Sequence, residues 1–347
     1  MHVQRSHSLN SRTQRPINLT TMGFGSAPLG NLYQEMSEDT AKATLEAAID
    51  AGIRYFDTAP FYGLGLSEER IGRALHDRDD IVLSTKVGRI LTDCPPNEAT
   101  PEMFVNVPAR RVSFDYSYDG IMRSYLASMH RLGERKPDIL LLHDIDPGTH
   151  GQAVSDKHLN DLFCHGGYTA LDELRSSGEI GAIGAGVNDW RICEKLMQEA
   201  PFDCFLLAGR YTLLEQEALD SFLPRCVSDD VGIILGGPYN SGILATGATP
   251  GARYNYAPAP PEIIERVQQI EQICATHDVP LIAAALQFVM GHPAVRSVIP
   301  GAATPDEIAN NVALFDMPIP SGLWTDLKSA GLIRDDAPTP KGNEDAI

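Results

Sequence analysis

Short apolar segments alternate with amphipathic segments along almost the whole of this 347-residue chain, and this alternation restricts the fold more than any other feature. The apolar run Ile139–Leu142 has the length of a buried strand, and Val295–Ile299 is predicted to be the last strand. Between them, segments such as residues 38–51 and Pro261–Thr276 repeat apolar residues three or four positions apart, as helices do. Eight strand–helix repeats predict an α/β fold with a parallel sheet, either one (β/α)8 barrel or a doubly wound sheet.

The barrel is favoured over the doubly wound sheet because no Gly-x-Gly-x-x-Gly follows the first strand, at residues 22–24. Long insertions also follow three strands, at about residues 90–117, 144–160 and 236–260, where a barrel carries its binding loops. We therefore predict a single (β/α)8 TIM barrel over residues 19–334, with its active site at the C-terminal ends of the strands.

The two ends of the chain are predicted to lie outside the barrel. Residues 1–18 are interpreted as a flexible N-terminal extension and residues 335–347 as a C-terminal tail. The extension contains Arg and Ser and no acidic residue, which also resembles a transit peptide, although the simple extension is favoured.

Charge and cysteine content restrict the partners that we expect. Lys and Arg total 28 against 46 Asp and Glu, so the net charge is −18, and an acidic surface repels nucleic acid and anionic membranes. No apolar run reaches the length of about 18 residues that a transmembrane helix needs. The six cysteines form no Cys-x-x-Cys pair, so we expect no metal site and no disulfide framework, which fits a cytoplasmic location.

Polar residues follow four of the predicted strands, and strand C-termini converge on one cleft in a barrel. Asp57, Lys86, His143 and Asn188 stand at these four ends, and Tyr62 lies five residues after Asp57. Each has an ordinary explanation on its own: a turn or cap for Asp57, a loop position for Tyr62 and a core position for His143. Their recurrence at matching strand ends favours a shared site.

Together these side chains suit proton transfer coupled to hydride transfer at a carbonyl or carbinol carbon. A free tyrosine, with a pKa of about 10, is a poor acid or base at neutral pH. We expect the ammonium of Lys86 to lower the pKa of Tyr62, and Asp57 to keep Lys86 charged. A neutral His143 would hydrogen-bond the substrate oxygen.

The chain also resembles the aldo-keto reductases over nearly its whole length. The matching segments are GFGSAPLG, YFDTAPFYGLGLSE, STKVG, PDILLLHD, LDELRSSGEIGAIGAGVN, YTLLEQ and SVIPGAATPDEIANN. This resemblance implies a catalytic tetrad of Asp57, Tyr62, Lys86 and His143, with Asn188 binding the nicotinamide carboxamide.

Within that family, YFDTAPFYGLGLSE, FDYSYDGIMRS, LLAGRYTLLEQ and GGPYNSGIL are similar to the sugar 1-dehydrogenase branch. The resemblance implies NAD-dependent oxidation of the C1 hemiacetal of an aldose (L-fucose, L-galactose or D-arabinose type) to the lactone, with Tyr62 as general acid and base. The alternative is a pyridoxal 4-dehydrogenase that makes 4-pyridoxolactone. A non-enzymatic nicotinamide-sensing subunit is disfavoured because the tetrad is intact. The sequence leaves the oligomeric state open.

The resemblance implies a cofactor site on the loops after the later strands. Its residues are Asn188, Gly236, Gly237, Pro238, Asn240, Gly242, Gly301, Glu307 and Asn311. Ala208 departs from the pattern, because many relatives carry Gln there to hold the carboxamide. Gly236 and Gly237 also depart from it, because many relatives place there an aromatic residue that stacks on the nicotinamide.

The last loop favours NAD, with NADP as the alternative. Gly301 and Glu307 stand where NADP-dependent relatives place Lys and Arg, which bind the 2′-phosphate. A carboxylate repels that phosphate but accepts a hydrogen bond from a free ribose hydroxyl. Glu307 also has an ordinary explanation, as an acid at a helix N-terminus.

Three residues are candidates for substrate contact. Asp144 stands where many relatives carry Trp, and its carboxylate suits sugar hydroxyls or, equally, a cap on the next turn. Phe61 and Trp190 are candidates to stack on a sugar face, although helix packing is favoured for Trp190.

Overall fold

A β-hairpin at the start of the chain closes one end of the fold. The computed structural model describes residues 2–13 and 16–341. In it β1 (Ser6–Leu9) pairs antiparallel with β2 (Ile17–Thr20), and Leu9 and Ile17 are both 2% exposed. These side chains reach Gly232 and Gly181, which lie at or just before the starts of two barrel strands. The hairpin therefore covers the N-terminal ends of the strands.

The prediction of a flexible extension over residues 1–18 is wrong for the described part of that segment. The N-terminal mouth of the barrel exposes apolar side chains, and Leu9 and Ile17 bury their own apolar surface there. A hydrogen bond also links this segment to the barrel, because the Asp203 carboxylate, next to β10, accepts from the backbone N–H of Arg12 at 3.1 Å.

Eight parallel strands form the barrel. After the hairpin, the strands in chain order are β3 (Phe24–Gly25), β4 (Tyr55–Asp57), β5 (Val82–Val87), β6 (Arg89–Asp93), β7 (Arg110–Phe114), β8 (Ile139–His143), β9 (Ala182–Val187), β10 (Cys204–Ala208), β11 (Gly232–Gly236), β12 (Arg253–Tyr254), β13 (Ala257–Pro258) and β14 (Val295–Ile299). The barrel order is β3-β4-β5-β8-β9-β10-β11-β14. Parallel bridges from Met22 to Val298 and from Gly25 to Gly301 join the first strand to the last. This arrangement confirms the barrel and excludes the doubly wound sheet.

Helices surround the barrel. They are α1 (Glu38–Asp50), α2 (Leu66–Leu75), α3 (Tyr118–Arg131), α4 (Pro147–His150), α5 (Gln152–Cys164), α6 (Gly167–Ser176), α7 (Trp190–Glu199), α8 (Phe222–Ser228), α9 (Ile243–Thr246), α10 (Pro261–Thr276), α11 (Leu281–Phe288), α12 (Pro305–Asp316) and α13 (Ser321–Ser329). Their apolar faces pack on the outside of the strands and form one large core with them.

Local backbone geometry sets the bounds of several helices. α5 and α6 are separate helices because Gly166 adopts a left-handed conformation (φ 80°) between them. α8 starts at Phe222, so Pro224 lies in its first turn, where a proline is tolerated. Ser67 lies inside α2, and its hydroxyl donates to the Ser26 carbonyl.

The three insertions follow barrel strands, as predicted. The first is the antiparallel hairpin β6–β7, with Arg89 opposite Phe114. The second carries α4 and most of α5, and the third carries α9 and the short hairpin β12–β13. The insertions therefore stand around the C-terminal ends of the strands.

The last described residues fold back onto the barrel. Ala337 is 1% exposed, and the backbone of Pro338 and Thr339 passes close to Gly291. Residues 342–347 of the predicted tail lie outside the described part of the chain.

Within residues 2–13 and 16–341, no single helix is long and apolar enough to cross a membrane. One pair reaches that length and composition together, Pro261–Thr276 with Leu281–Gly291, and it is bent by 100°.

Candidate active site

Three adjacent barrel strands deliver the catalytic residues that the sequence predicts. Asp57 ends β4, Lys86 lies near the end of β5, and His143 ends β8. Tyr62 lies in the turn after β4, where its N–H donates to the carbonyl of Ala59. Because β5 pairs with both β4 and β8, the strand ends bring the side chains together.

A buried ion pair lies at the centre of the site. Lys86 Nζ donates to Asp57 Oδ2 at 2.7 Å, and both side chains are 2% exposed. The ammonium also donates to the Thr58 carbonyl at 2.9 Å and to the Tyr62 hydroxyl at 3.3 Å, so each of its three N–H groups has a partner. Ser84 Oγ donates to the other Asp57 oxygen at 2.7 Å. This full set of partners offsets the cost of burying the charges.

Burial opposes the expected effect of Lys86 on Tyr62. Removal from water raises the pKa of the Tyr62 phenol to about 12, and the nearby ammonium of Lys86 only partly offsets this. Lys86 therefore lowers the pKa of Tyr62 as expected, but burial raises it by more, so this pKa lies above the ordinary tyrosine value in the protein alone. The phenol is protonated at neutral pH.

His143 lies across the cleft from Tyr62 and is neutral. The two ring centroids are 6.1 Å apart and the rings are perpendicular. Burial, then the charges of Arg89 and Lys86, hold the pKa of His143 well below its usual range. The hydroxyl of Tyr116 donates to the His143 carbonyl at 2.5 Å, which helps to fix this residue at the strand end. The imidazole can therefore donate one hydrogen bond to a substrate oxygen without carrying charge.

Asn188 lies at the other side of the cleft, just after β9. Its amide donates to the Ala208 carbonyl at 3.3 Å and contacts the Tyr256 hydroxyl at 3.4 Å. Arg210 Nε donates to the Asn188 backbone carbonyl at 2.8 Å. Asn188 is thus held at the position where the sequence predicts a carboxamide partner.

The glycine-rich loop after β11 has the open backbone that a phosphate group needs. Gly237 is exposed with φ 56°, and Gly242 has φ 104° with no other part of the protein within 4 Å of the place where a Cβ would stand. Asn240, another predicted cofactor residue of this loop, uses its side chain within the protein. Its side chain is 2% exposed, donates to the Gly209 carbonyl and accepts from Thr212, so it ties two loops together.

Other predicted cofactor residues lie in this loop, in α12 and after the neighbouring strand β14. Pro238 is buried beside Gly237. Asn311, in α12, accepts a hydrogen bond from the Tyr239 hydroxyl at 2.9 Å, which links this helix to the loop. Gly301 follows β14.

Glu307 lies in the first turn of α12 and stabilises the helix start. Its carboxylate accepts from the backbone N–H of Ala303 at 2.7 Å, and its own N–H donates to Thr304 Oγ1 at 3.2 Å. This reciprocal pattern is a variant of the capping box. The negative charge of Glu307 therefore stands at the start of α12, next to the last loop, where the sequence predicts the ribose hydroxyl of NAD.

The cleft above the tetrad has a volume of about 360 Å3. Tyr62, Lys86, His143 and Asn188 line it together with the predicted substrate residues Phe61 and Asp144. Trp190 does not line it. It is 7% exposed at the start of α7 and packs in the core, so the packing explanation applies.

The cleft also contains residues that the sequence analysis did not single out. They are Tyr33, Arg89, Phe104, Thr149 and Tyr256. Arg89 stands two residues after the end of β5, so its place near a strand end was a usable signal. Tyr256 comes from the tip of the β12–β13 hairpin, which no spacing in the sequence connects to Asn188.

Comparison with known proteins agrees with this architecture. The sequence profile of the aldo/keto reductase family matches residues 21–331. The chain belongs to the aldo-keto reductase family. It is therefore an oxidoreductase, and this family uses nicotinamide cofactors.

Two bacterial enzymes are similar over nearly their full lengths. Pyridoxal 4-dehydrogenase of Microbacterium luteolum is 42% identical over 96% of this chain and 100% of its own. D-threo-aldose 1-dehydrogenase of a Pseudomonas species is 40% identical over 93% of this chain and 96% of its own. A plant enzyme, L-galactose dehydrogenase of Arabidopsis thaliana, is 28% identical over 91% of this chain and 88% of its own.

Solved structures share the fold at lower identity. A holo aldo-keto reductase from Bacillus halodurans has a TM-score of 0.74 at 23% identity, covering 94% of this chain and 96% of its own. A glycerol dehydrogenase from Gluconobacter oxydans has a TM-score of 0.71 at 19% identity, covering 97% and 98%.

We predict that Tyr62→Phe lowers the kcat of dehydrogenation by about 10²- to 10⁴-fold, because the phenylalanine cannot accept or donate a proton. NADH binding, measured by titration calorimetry, should stay within about threefold, since the ring and its packing remain. Tyr118→Phe is the matched control, because Tyr118 is only half-buried, does not line the cleft and donates its hydroxyl to Glu173 on the surface. A Tyr62→Phe enzyme with near-normal kcat would contradict the assignment.

Proposed function

We propose that this protein oxidises the C1 hemiacetal of an aldose of the L-fucose, L-galactose or D-arabinose type to the lactone, with NAD as the acceptor. The observation that carries the proposal is the pairing, in one cleft, of the Lys86-linked phenol of Tyr62 with the neutral imidazole of His143. The names of two relatives, D-threo-aldose 1-dehydrogenase and L-galactose dehydrogenase, support the choice of substrate.

The chain's own residues divide the proton chemistry between them. The neutral imidazole of His143 donates a hydrogen bond to the C1 oxygen and orients the hemiacetal. Tyr62 first loses its own proton to solvent, and Lys86 stabilises the phenolate that results. This phenolate then takes the proton of the C1 hydroxyl. Asp57 keeps Lys86 charged and fixed. Loss of that proton and of the C1 hydride converts the hemiacetal carbon into the lactone carbonyl.

The residues present fit a nicotinamide dinucleotide. Asn188 offers an amide to the carboxamide at the cleft. The exposed backbone of Gly237 and the open space beside Gly242 suit the pyrophosphate. When bound, the cofactor accepts the hydride released from C1.

The charge around the last loop supports NAD over NADP. Residues 300–316 contain no Lys and no Arg, and Glu307 places a carboxylate at the start of α12. A 2′-phosphate would meet repulsion there without the basic pair that usually binds it.

Pyridoxal is the second candidate substrate. It also forms a cyclic hemiacetal, and its oxidation yields a lactone by the same chemistry. The 42% identity to a pyridoxal 4-dehydrogenase favours it, as do the rings of Phe61 and Phe104, which pack edge to face at 5.3 Å and form an aromatic part of the cleft.

We predict that a panel of L-fucose, L-galactose, D-arabinose and pyridoxal, followed by NADH absorbance, gives the highest kcat/KM with an aldose. Tyr62→Phe should lower that turnover by the same factor of about 10² to 10⁴, which would show that the activity belongs to this site. A higher kcat/KM with pyridoxal would favour the second candidate. Turnover with none of the four would contradict hemiacetal oxidation.

We predict a ratio of kcat/KM for NAD over NADP of at least about tenfold, and a fall in that ratio in Glu307→Gln. Glutamine keeps the hydrogen bond from Ala303 but removes the negative charge. The ratio should therefore fall because kcat/KM with NADP rises. The kcat/KM with NAD should stay nearly constant, and so should the melting temperature. A clear NADP preference in the unmodified protein would overturn this assignment.

A further inference from the structure

Arg89 and Asp144 form a charged pair in the cleft that the tetrad does not include. Arg89 Nη2 donates to Asp144 Oδ2 at 2.5 Å, and the two side chains are 7% and 14% exposed. Both residues line the cleft. A pair this deeply buried costs desolvation energy, and an apolar pair of similar size would avoid that cost. Its place beside the tetrad therefore points to a role in binding.

Packing and backbone fix both members of the pair. The Arg89 guanidinium lies 4.0 Å from the Phe61 ring centroid and 5.1 Å from that of Phe114. Asp144 has a left-handed φ of 48°, and its N–H donates to the Gly186 carbonyl at 2.9 Å. Both side chains are therefore held before a ligand arrives.

The pair stands next to the place where the reacting oxygen binds. Asp144 Oδ2 is 3.3 Å from His143 Nε2. A substrate oxygen that hydrogen-bonds this imidazole nitrogen is therefore close to the Asp144 carboxylate. In a cyclic aldose, the nearest other oxygen outside the ring is the hydroxyl on C2, the carbon next to the reacting one.

We propose that Asp144, oriented by Arg89, accepts a hydrogen bond from the C2 hydroxyl and that the pair selects hemiacetals with a hydroxyl at this carbon. The inference rests on the proposed aldose oxidation and adds its substrate determinant. Burial raises the pKa of Asp144 and the charge of Arg89 opposes this rise. Arg89 thus favours the carboxylate form, which only accepts hydrogen bonds. A substrate without the hydroxyl leaves that carboxylate without its ligand partner.

The test compares D-arabinose with 2-deoxy-D-ribose, which differ only by the C2 hydroxyl. We expect the unmodified protein to prefer D-arabinose by about 10- to 100-fold in kcat/KM, the effect of one hydrogen bond to a charged group. Asp144→Asn should reduce this preference to about threefold or less, mainly through slower D-arabinose oxidation. Asparagine tolerates a left-handed backbone, so the loop is expected to keep its shape.

Two further variants make the result specific. Asp77→Asn removes the same charge from a carboxylate whose side chain is 96% exposed, and it should leave the preference unchanged. Arg89→Lys keeps the positive charge but loses the planar fork and the stacking on Phe61, so it should also weaken the preference. This variant provides the same readout if Asp144→Asn does not fold.

Four outcomes are decisive. A C2 preference that falls in both Asp144→Asn and Arg89→Lys supports the proposal. If these variants lose activity equally on both sugars, the pair only positions His143, and the proposal is overturned. A ratio of kcat/KM for D-arabinose over 2-deoxy-D-ribose near one in the unmodified protein would also overturn the proposal. The proposed oxidation of aldoses to lactones would still stand. If the unmodified protein oxidises neither sugar, the proposed aldose oxidation itself fails, and this inference fails with it.

Discussion

The buried ion pair between Asp57 and Lys86 is the interaction on which the rest of the site depends. Two charges in a dry interior are costly unless every polar group is satisfied, and here the ammonium has three partners and the carboxylate has two. The barrel makes this possible because β4 and β5 are neighbours that end at the same level. The fold therefore supplies the position, and the pair supplies a fixed positive charge beside Tyr62.

The same burial gives Tyr62 and His143 different tasks. Loss of water favours the neutral form of each group: it raises the pKa of the tyrosine to about 12 and lowers the pKa of the histidine. A neutral imidazole orients an oxygen, while a phenol beside an ammonium can give up and recover a proton. Asp144 and Arg89 extend this charged arrangement toward the substrate side of the cleft. The same group of adjacent strand ends therefore carries the residues for proton transfer, Tyr62 and His143, and the pair that we propose selects the substrate, Asp144 and Arg89.

The sequence was sufficient to predict the barrel and the meeting of Asp57, Tyr62, Lys86 and His143 in one cleft, because strand ends in a parallel barrel converge whatever the details of packing. It was not sufficient where two physical effects compete. The pKa of Tyr62 depends on burial against the charge of Lys86, and only the three-dimensional environment decides between them. The pairing of Ser6–Leu9 with Ile17–Thr20 was missed because these strands are short and partly polar, and only contact with the barrel end makes Leu9 a core residue. The sequence also does not show that the Asn240 side chain bonds Gly209 and Thr212, because these partners come from another loop.

The most direct test of this account is the pH dependence of single-turnover oxidation, measured at saturating NAD in the Asp57→Asn/Lys86→Met double variant and in the unmodified protein. The double variant leaves no unpaired buried charge at these two positions, and it removes the ammonium that stabilises the Tyr62 phenolate. The account predicts that the rate of the double variant is lower at every pH and needs a higher pH to reach half of its maximum. A profile with an unchanged midpoint would show that the ion pair does not control the proton on Tyr62, and would contradict the central claim.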